Sequence, residues 1–281
     1  MVQTIEWNKQ ILYNSFDHSS QIPDNEQLDY RGVHIKHNRP LPIRRNIMGL
    51  ADLHMHTIYS YDGTASVPAV LTRVKQIGLD VIAITDHDEI AGSLKALELA
   101  PKYGVEVIPA IEITTAEGDL LAFNITQKIP RDLPLINTVL QVGELGGFCI
   151  APHPMAGGLG MKSLNAYSIL RALRNAEVAK VLIGIETYNA TTIDKMSNHY
   201  ARILGNQLDL AQTASSDAHV IETIGLGATE FEGHTAQDLI QALKTRNVGQ
   251  RKQKEWNSVQ ILGSWAVNYM GSAFTRLSNA A

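Results

Sequence analysis

Two histidines, His54 and His56, stand two residues apart in the stretch ADLHMHTIYSYDG, residues 51–63. In an extended backbone, alternate side chains point to the same side, so both imidazoles can reach one point in space. Asp52 precedes this pair and Asp62 follows it. Imidazole nitrogens and carboxylate oxygens are good ligands for Zn, Mn and Fe. The stretch therefore predicts a metal site.

Residues of the same chemical types end five later apolar runs of the chain. They are His87, Glu112, His153, Glu186, and the pair Asp217 and His219. If these runs are parallel strands, their carboxyl ends meet on one face, where residues distant in sequence can surround one centre.

Seven short apolar runs, each bounded by turn residues and rich in Val and Ile, read as buried strands. The runs cover residues 47–53, 80–85, 105–112, 120–125, 147–154, 181–189 and 212–219. Segments with helical spacing alternate with them, including one that begins near Ser66 and ends at Gly78 and one over residues 163–179. Thr235, followed three residues later by Asp238, resembles a capping box at the start of a later helix. This alternation favours parallel βαβ units and an α/β fold.

No side chain shows comparable support as a covalent nucleophile. Cys149 lies in an apolar run and reads as a buried thiol, and no Gly-x-Ser-x-Gly elbow is present. The glycines Gly157, Gly158 and Gly160 lack the Lys-Ser/Thr that ends a P-loop. We interpret them as a rim loop that lets Lys162 approach an anionic substrate.

The ordered motifs DLHMHT, TDHD, Glu112, APHP and SSDAH resemble those of the PHP (polymerase and histidinol phosphatase) superfamily. The resemblance covers roughly residues 49–250. It implies a distorted seven-stranded β/α barrel, similar to a TIM barrel, with two or three divalent metal ions at the strand ends. It also implies phosphoesterase chemistry in which a metal-activated water attacks phosphorus.

The resemblance also implies how the ligands are shared among the ions. His54, His56, Glu112 and Asp217 would hold the first ion. Glu112 would bridge to a second ion shared with His153, and Asp62, His87 and His219 would hold a third. Many relatives carry a Gly-His-hydrophobic sequence near the fourth strand, where this chain has Gly118-Asp119-Leu120. Asp119 can replace that histidine, because carboxylate oxygens also bind these metals.

Three further carboxylates have two interpretations each. Asp86 and Asp88 could bind metal directly, but we expect them to orient histidines through the second ring nitrogen. Glu186 could do the same or could simply end its strand.

The chain divides into an N-terminal extension (1–46), a catalytic barrel (47–250) and a C-terminal segment (251–281) that packs on the barrel or forms a homodimer interface. Its 24 basic and 28 acidic residues are nearly balanced, which argues against an extended nucleic-acid surface. The sequence shows no apolar run of membrane-spanning length and no secretion signal. With one cysteine, the chain is compatible with a reducing cytoplasm, where we expect it.

Three functions remain open from the sequence. The first is a phosphoesterase for a small phosphorylated substrate, nucleotides included. The second is an amidohydrolase-type metal enzyme, because a metal-activated water can also attack a carbonyl group. The third is a degenerate metal-binding domain that binds a partner through residues 256–277.

Overall fold

A computed structural model describes residues 48–157, 162–252 and 256–279, with side chains up to residue 273. The expected N-terminal extension, residues 1–46, lies outside these ranges, as do Gly158 and Gly160 of the expected rim loop.

The described residues form ten strands and eight α-helices. The strands are β1 (Met48–Asp52), β2 (Val81–Ile82), β3 (Glu106–Val107), β4 (Ala110–Thr114), β5 (Asp119–Phe123), β6 (Phe148–Ala151), β7 (Leu182–Asn189), β8 (Ala211–Ser215), β9 (Gly227–Glu232) and β10 (Val248–Lys252). The helices are α1 (Val67–Ile77), α2 (Ala91–Leu99), α3 (Leu135–Glu144), α4 (Ala166–Leu173), α5 (Ala176–Val181), α6 (Lys195–Gly205), α7 (Ala236–Thr245) and α8 (Ser258–Asn279).

The strands belong to two five-stranded sheets, in the orders β10-β9-β1-β2-β3 and β4-β5-β6-β7-β8. Strands β1 to β3 and β6 to β8 are parallel, and the remaining neighbours are antiparallel. The predicted α/β class is confirmed. The predicted seven-stranded barrel is not confirmed. Within the described ranges no closed barrel forms, and each sheet contains both parallel and antiparallel strand pairs.

Two local features explain the difference in strand number and direction. Pro109 cannot donate a backbone hydrogen bond, and it separates the single predicted run 105–112 into β3 and β4. The connection from β4 to β5 is a short turn in which the Thr115 N–H donates to the Gly118 oxygen at 3.1 Å. A parallel pair needs a crossover of a dozen or more residues, so this turn makes the pair antiparallel.

Side-chain hydrogen bonds take the place of a backbone ladder where β8 lies beside β9. The Thr229 hydroxyl donates to the Ala214 oxygen at 3.0 Å and accepts from the Ala214 N–H at 3.1 Å. The amide of Gln250 on β10 donates to the Thr213 oxygen at 3.0 Å. The two sheets therefore meet along a seam without merging.

A shared apolar core fills the space between the sheets. Leu53 and Phe231 reach it from the first sheet, and Phe123 and Phe148 reach it from the second. The two phenylalanine rings of the second sheet stack with centroids 5.1 Å apart. This burial fixes the sheets against each other and so fixes the strand ends that carry the polar residues.

The helix boundaries largely follow the sequence signals. Helix α1 ends at Gly78 in the left-handed conformation, with φ of 72°, and Thr235 and Asp238 form the predicted capping box of α7. The single helix predicted for residues 163–179 is instead two, because the Asn175 side chain caps a new helix, α5. Among the described helices, none combines the length and apolarity needed to cross a membrane.

Candidate metal centre

Glu112, on β4, lies fully buried at the centre of the predicted ligands. Its Oε2 atom lies 3.3 Å from one nitrogen of each of His54, His56 and His87. Its Oε1 atom lies 3.2 Å from His153 Nε2. One carboxylate thus contacts four imidazoles from three different strand ends.

Asp217 and Asp62 contact three of these histidines and add a fifth, His219. Asp217 Oδ1 lies 3.3 Å from His54 Nε2 and 3.2 Å from His56 Nε2. Asp62 Oδ2 lies 3.1 Å from His219 Nε2 and 3.4 Å from His87 Nε2. These contacts produce a continuous cluster that begins after β1 and ends after β8.

Loop backbone holds the cluster together where strand pairing ends. The backbone N–H of Asp88 donates to the backbone oxygen of Glu112 at 2.8 Å, and His87 forms an isolated parallel bridge with Glu112. The Asp217 N–H donates to the His54 oxygen at 2.8 Å. The two sheets, separate along their strands, are therefore bonded to each other at the site.

Several observations indicate that this cluster is suited to binding divalent cations. His56 is buried, yet neither of its ring nitrogens has a hydrogen-bond partner, and the contacts of its Nε2 lack hydrogen-bond angles. Ligands 2.0–2.1 Å from a tetrahedral zinc lie about 3.3 Å from one another, close to the separations around Glu112 and Asp217. Four overlapping groups have ligand atoms within 4.8 Å of one another: His56, Asp62, His87 and His219; His54, His56 and Glu112; His54, His153 and Asp217; and His87, Glu112 and Asp119.

The electrostatics also favour positive charge in the site. Burial would lower the pKa of His87, but the carboxylates of Glu112 and Asp62 outweigh it and raise this pKa to about 10. Burial likewise opposes protonation of His219, but Asp62 raises its pKa to about 9. The pKa of His56 falls to about 4, because burial and the charge of His219 both disfavour its protonation. Protons on some of the histidines thus balance the carboxylates, and a cation would replace those protons.

Asp119, the first residue of β5, lies beside the cluster, and its role as a metal ligand stays a prediction. Its ligand atom groups with those of His87 and Glu112, and its Oδ1 is buried without a hydrogen-bond partner. Burial, followed by the nearby charge of Glu112, raises its pKa to about 7. A carboxylate so placed would gain from a bound cation.

Glu186 contacts the ring of His54 and the backbone of His153, in a network that the sequence indicated only in part. Its Oε1 lies 3.3 Å from His54 Nδ1, and its Oε2 accepts the His153 N–H at 2.8 Å. Asn189, which the sequence analysis missed, donates to Glu186 Oε2 at 3.0 Å and to Asp217 Oδ2 at 2.9 Å. Glu186 therefore favours the His54 tautomer that leaves Nε2 free for a metal.

The expectation that Asp86 and Asp88 orient histidines is wrong. Asp86 accepts hydrogen bonds from the Thr57 N–H at 2.6 Å and the Thr57 hydroxyl at 2.7 Å. Asp88 accepts the Thr114 N–H at 2.9 Å. Both carboxylates hold the backbone beside the ligands, and His153 instead has the Ser163 hydroxyl 3.0 Å from its Nδ1.

Two residues of the cluster have a left-handed backbone conformation, which is unfavourable for residues other than glycine. His153 has φ of 27° and Asp217 has φ of 53°. Each such residue costs on the order of 1–3 kcal/mol. The hydrogen bonds of their N–H groups, to Glu186 and to the His54 oxygen, hold them in place.

The cluster opens into a cavity of about 380 Å³. Helix α8 lies along this cavity, and its Trp265 indole N–H donates to the Asp62 backbone oxygen at 2.9 Å. Lys162, the predicted phosphate contact, is exposed and is not among the described residues that line the cavity. Its backbone oxygen accepts the Asp119 N–H at 2.6 Å, and a role for its side chain stays a prediction.

Comparisons with known proteins agree with this architecture. A family model of the PHP domain matches residues 52–255. An uncharacterised protein of Methanocaldococcus jannaschii is 33% identical over 161 residues, which cover 54% of this chain and 88% of that protein. The 5'-3' exoribonuclease of Haemophilus influenzae is 26% identical over 198 residues, which cover 69% of this chain and 63% of the exoribonuclease.

A solved structure extends the likeness to the fold. It is that of a two-domain protein from Bacteroides vulgatus that contains a predicted PHP-like metal-dependent phosphoesterase. It superposes with a TM-score of 0.59 at 18% identity, covering 79% of this chain and 70% of the other. At this identity the likeness concerns the fold.

Proposed function

Because the chain belongs to the PHP domain family, we propose that it is a metal-dependent phosphoesterase that hydrolyses a phosphate ester of a small molecule or nucleotide. The observation that carries the proposal is the arrangement of imidazoles and carboxylates around Glu112, at separations typical of ligands that share a cation. The exoribonuclease relative, by its name, acts on phosphate esters too.

The proposed ions would be divalent, with Zn, Mn and Fe as the candidates that suit this ligand set. His54, His56, Glu112 and Asp217 would hold one ion. Glu112, His153 and Asp119 would hold a second, and Asp62, His87 and His219 a third. Bound divalent cations supply Lewis-acid chemistry: they polarise phosphoryl oxygens and lower the pKa of water.

The chain's own residues would position the reaction. Glu186 fixes the ring of His54, and Ser163 contacts the ring of His153, so both imidazoles are oriented before substrate arrives. The cavity beside them is large enough to hold a small ester. In the reaction, water adds to phosphorus, the bond between phosphorus and the ester oxygen breaks, and that oxygen leaves as an alcohol with one proton from water.

Metal content and metal-restored activity test the proposal together. Protein purified without chelator should contain two or three equivalents of divalent metal by elemental analysis. It should release p-nitrophenol from p-nitrophenyl phosphate or from bis-p-nitrophenyl phosphate. Chelation should abolish that release, and return of Zn²⁺, Mn²⁺ or Fe²⁺ should restore it.

Two histidine variants and one amide substrate sharpen the test. His56→Ala should lose metal and activity, whereas His199→Ala, on the exposed side of α6, should retain both. Folded protein that takes up no stoichiometric metal would contradict the proposal. Metal-dependent cleavage of p-nitroacetanilide without cleavage of either phosphate ester would favour the amidohydrolase alternative.

A further inference from the structure

The described lining of the cavity beside the candidate metal centre contains two chemically different sets of residues. One set is the imidazoles and carboxylates already described. The other set, which we name the apolar wall, comes from three separate segments of the chain and consists of Ile193, Val220, Ile261, Leu262 and Trp265. Tyr61, Thr191 and Thr223 complete the described lining, and both threonine hydroxyls already donate to backbone oxygens.

Helix α8 is placed so that one face contributes to the apolar wall. Ile261 and Trp265 are four residues apart and so lie on one side of the helix. The Trp265 indole is fixed by its hydrogen bond to the Asp62 oxygen. Val259 and Val267 lie on the other side and are 81% and 66% exposed. The cavity face of α8 is therefore distinct from its solvent face.

The charge of the cavity limits how many phosphates a ligand can carry. The described lining includes the carboxylates of Asp62, Glu112, Asp119 and Asp217 and contains no lysine or arginine. A second phosphate would find no cationic side chain among the described residues that line the cavity, and burial of an unpaired charge is costly.

Taken with the proposed phosphoesterase function, on which this inference rests, these features define a substrate class. We propose that the site takes esters with a single phosphate whose organic group is aromatic or aliphatic and packs against the apolar wall. Sugar phosphates and bisphosphates fit the site poorly, because their hydroxyl groups or second phosphate would lose water against apolar side chains.

A binding experiment tests the apolar wall without depending on catalysis. Full-length protein loaded with metal is titrated calorimetrically with benzylphosphonate and with 2-hydroxyethylphosphonate, which present the same anion. Burying roughly half of a phenyl ring corresponds to about ten-fold tighter binding. We expect benzylphosphonate to bind at least about ten-fold more tightly. Equal affinities, or tighter binding of the hydroxyethyl compound, would overturn the inference.

Variants of α8 test whether a preference for benzylphosphonate arises from the apolar wall. Ile261→Ala and Trp265→Ala should reduce the preference to about two- or three-fold. Val259→Ala, on the solvent face of the same helix, should preserve it. Trp265→Phe keeps an aromatic wall but removes the indole donor, and should largely retain the preference. A preference unchanged in both alanine variants that fold, as judged by circular dichroism, would refute the assignment.

Turnover separates this inference from the proposed function. Benzyl phosphate and glycerol 3-phosphate are both esters of primary alcohols, and we expect kcat/KM to favour the benzyl ester by about ten-fold. If glycerol 3-phosphate is hydrolysed as well as the benzyl ester, the phosphoesterase function stands and the inference fails. If neither ester is hydrolysed but benzylphosphonate is still preferred, the function fails and the apolar wall stands.

Discussion

Replacement of Glu186 by glutamine should weaken metal binding while leaving the fold intact. Three donors converge on the two oxygens of this carboxylate: His54 Nδ1 at 3.3 Å, the His153 N–H at 2.8 Å and the Asn189 amide at 3.0 Å. Glutamine keeps only one oxygen, so at least one donor would face an NH₂ group whichever way the amide turns. The side chain is buried, and water cannot take over the lost contact.

The size of the effect follows from the role of Glu186 as a partner of a ligand. Loss of such a partner typically lowers metal affinity by about 10–100-fold, which corresponds to about 1.4–2.7 kcal/mol. The affinity is measured by competition with a chelator of known affinity, and circular dichroism verifies the fold. Glu177→Gln, an exposed change at the start of α5, should leave affinity unchanged.

One result would refute this reasoning directly. If the folded Glu186→Gln protein bound metal with the affinity of the unmodified chain, the His54 ring would not depend on this carboxylate. The ligand arrangement would then be maintained by the backbone alone.

Three other predictions concern protons, the thiol and a buried carboxylate. Because the pKa values of His87 and His219 are raised to about 10 and 9, metal binding near pH 7 should release protons, and the metal affinity should rise as the pH increases toward 9. Calorimetry in buffers of different ionisation enthalpy measures the proton release, and the absence of any release would contradict the prediction. Burial raises the pKa of the Cys149 thiol well above its usual range, so iodoacetamide at pH 8 should label only unfolded protein, as mass spectrometry would show. Asp52 accepts the N–H groups of Ser216 and Gly225, so Asp52→Asn should lower the free energy of unfolding by about 2–3 kcal/mol; an unchanged urea midpoint would count against it.

The sequence could predict which polar residues lie together, because it shows which of them follow a buried strand. Residues that follow a buried strand reach the carboxyl edge of a sheet whatever the sheet's exact order. His54 and His87 therefore approach Glu112, and Asp217 approaches His54, even though the strands form two sheets and not one barrel. Their role as metal ligands stays a prediction for the elemental analysis to test.

Asn189 was not predicted because, in a regular strand, its side chain would point away from the face that carries Glu186. Residues three apart in a strand point to opposite faces, so Glu186 and Asn189 should not share a site. The pairing of β7 with β8 shifts register between Glu186 and Tyr188, which turns both side chains toward the cluster. A local irregularity of this kind leaves no signal in composition or spacing.

The apolar wall was unpredictable for a different reason. The apolar residues of α8 were evident from the sequence, and they favoured either the barrel or a dimer interface as the surface they cover. Which face of α8 lines the cavity depends on long-range contacts, such as the hydrogen bond from the Trp265 indole to the Asp62 backbone oxygen. Such long-range contacts are set by tertiary packing and not by local pattern.

The division of the ligands between two sheets couples metal binding to the folding of the whole domain. His54, His56, Asp62 and His87 follow strands of the first sheet, whereas Glu112, Asp119, His153, Asp217 and His219 belong to or follow strands of the second. Ions held by both sets would cross-link the two sheets at the site, in addition to the backbone hydrogen bonds that join them there. Because a ligand that binds only the folded state stabilises it by mass action, the melting temperature should become a direct gauge of metal occupancy.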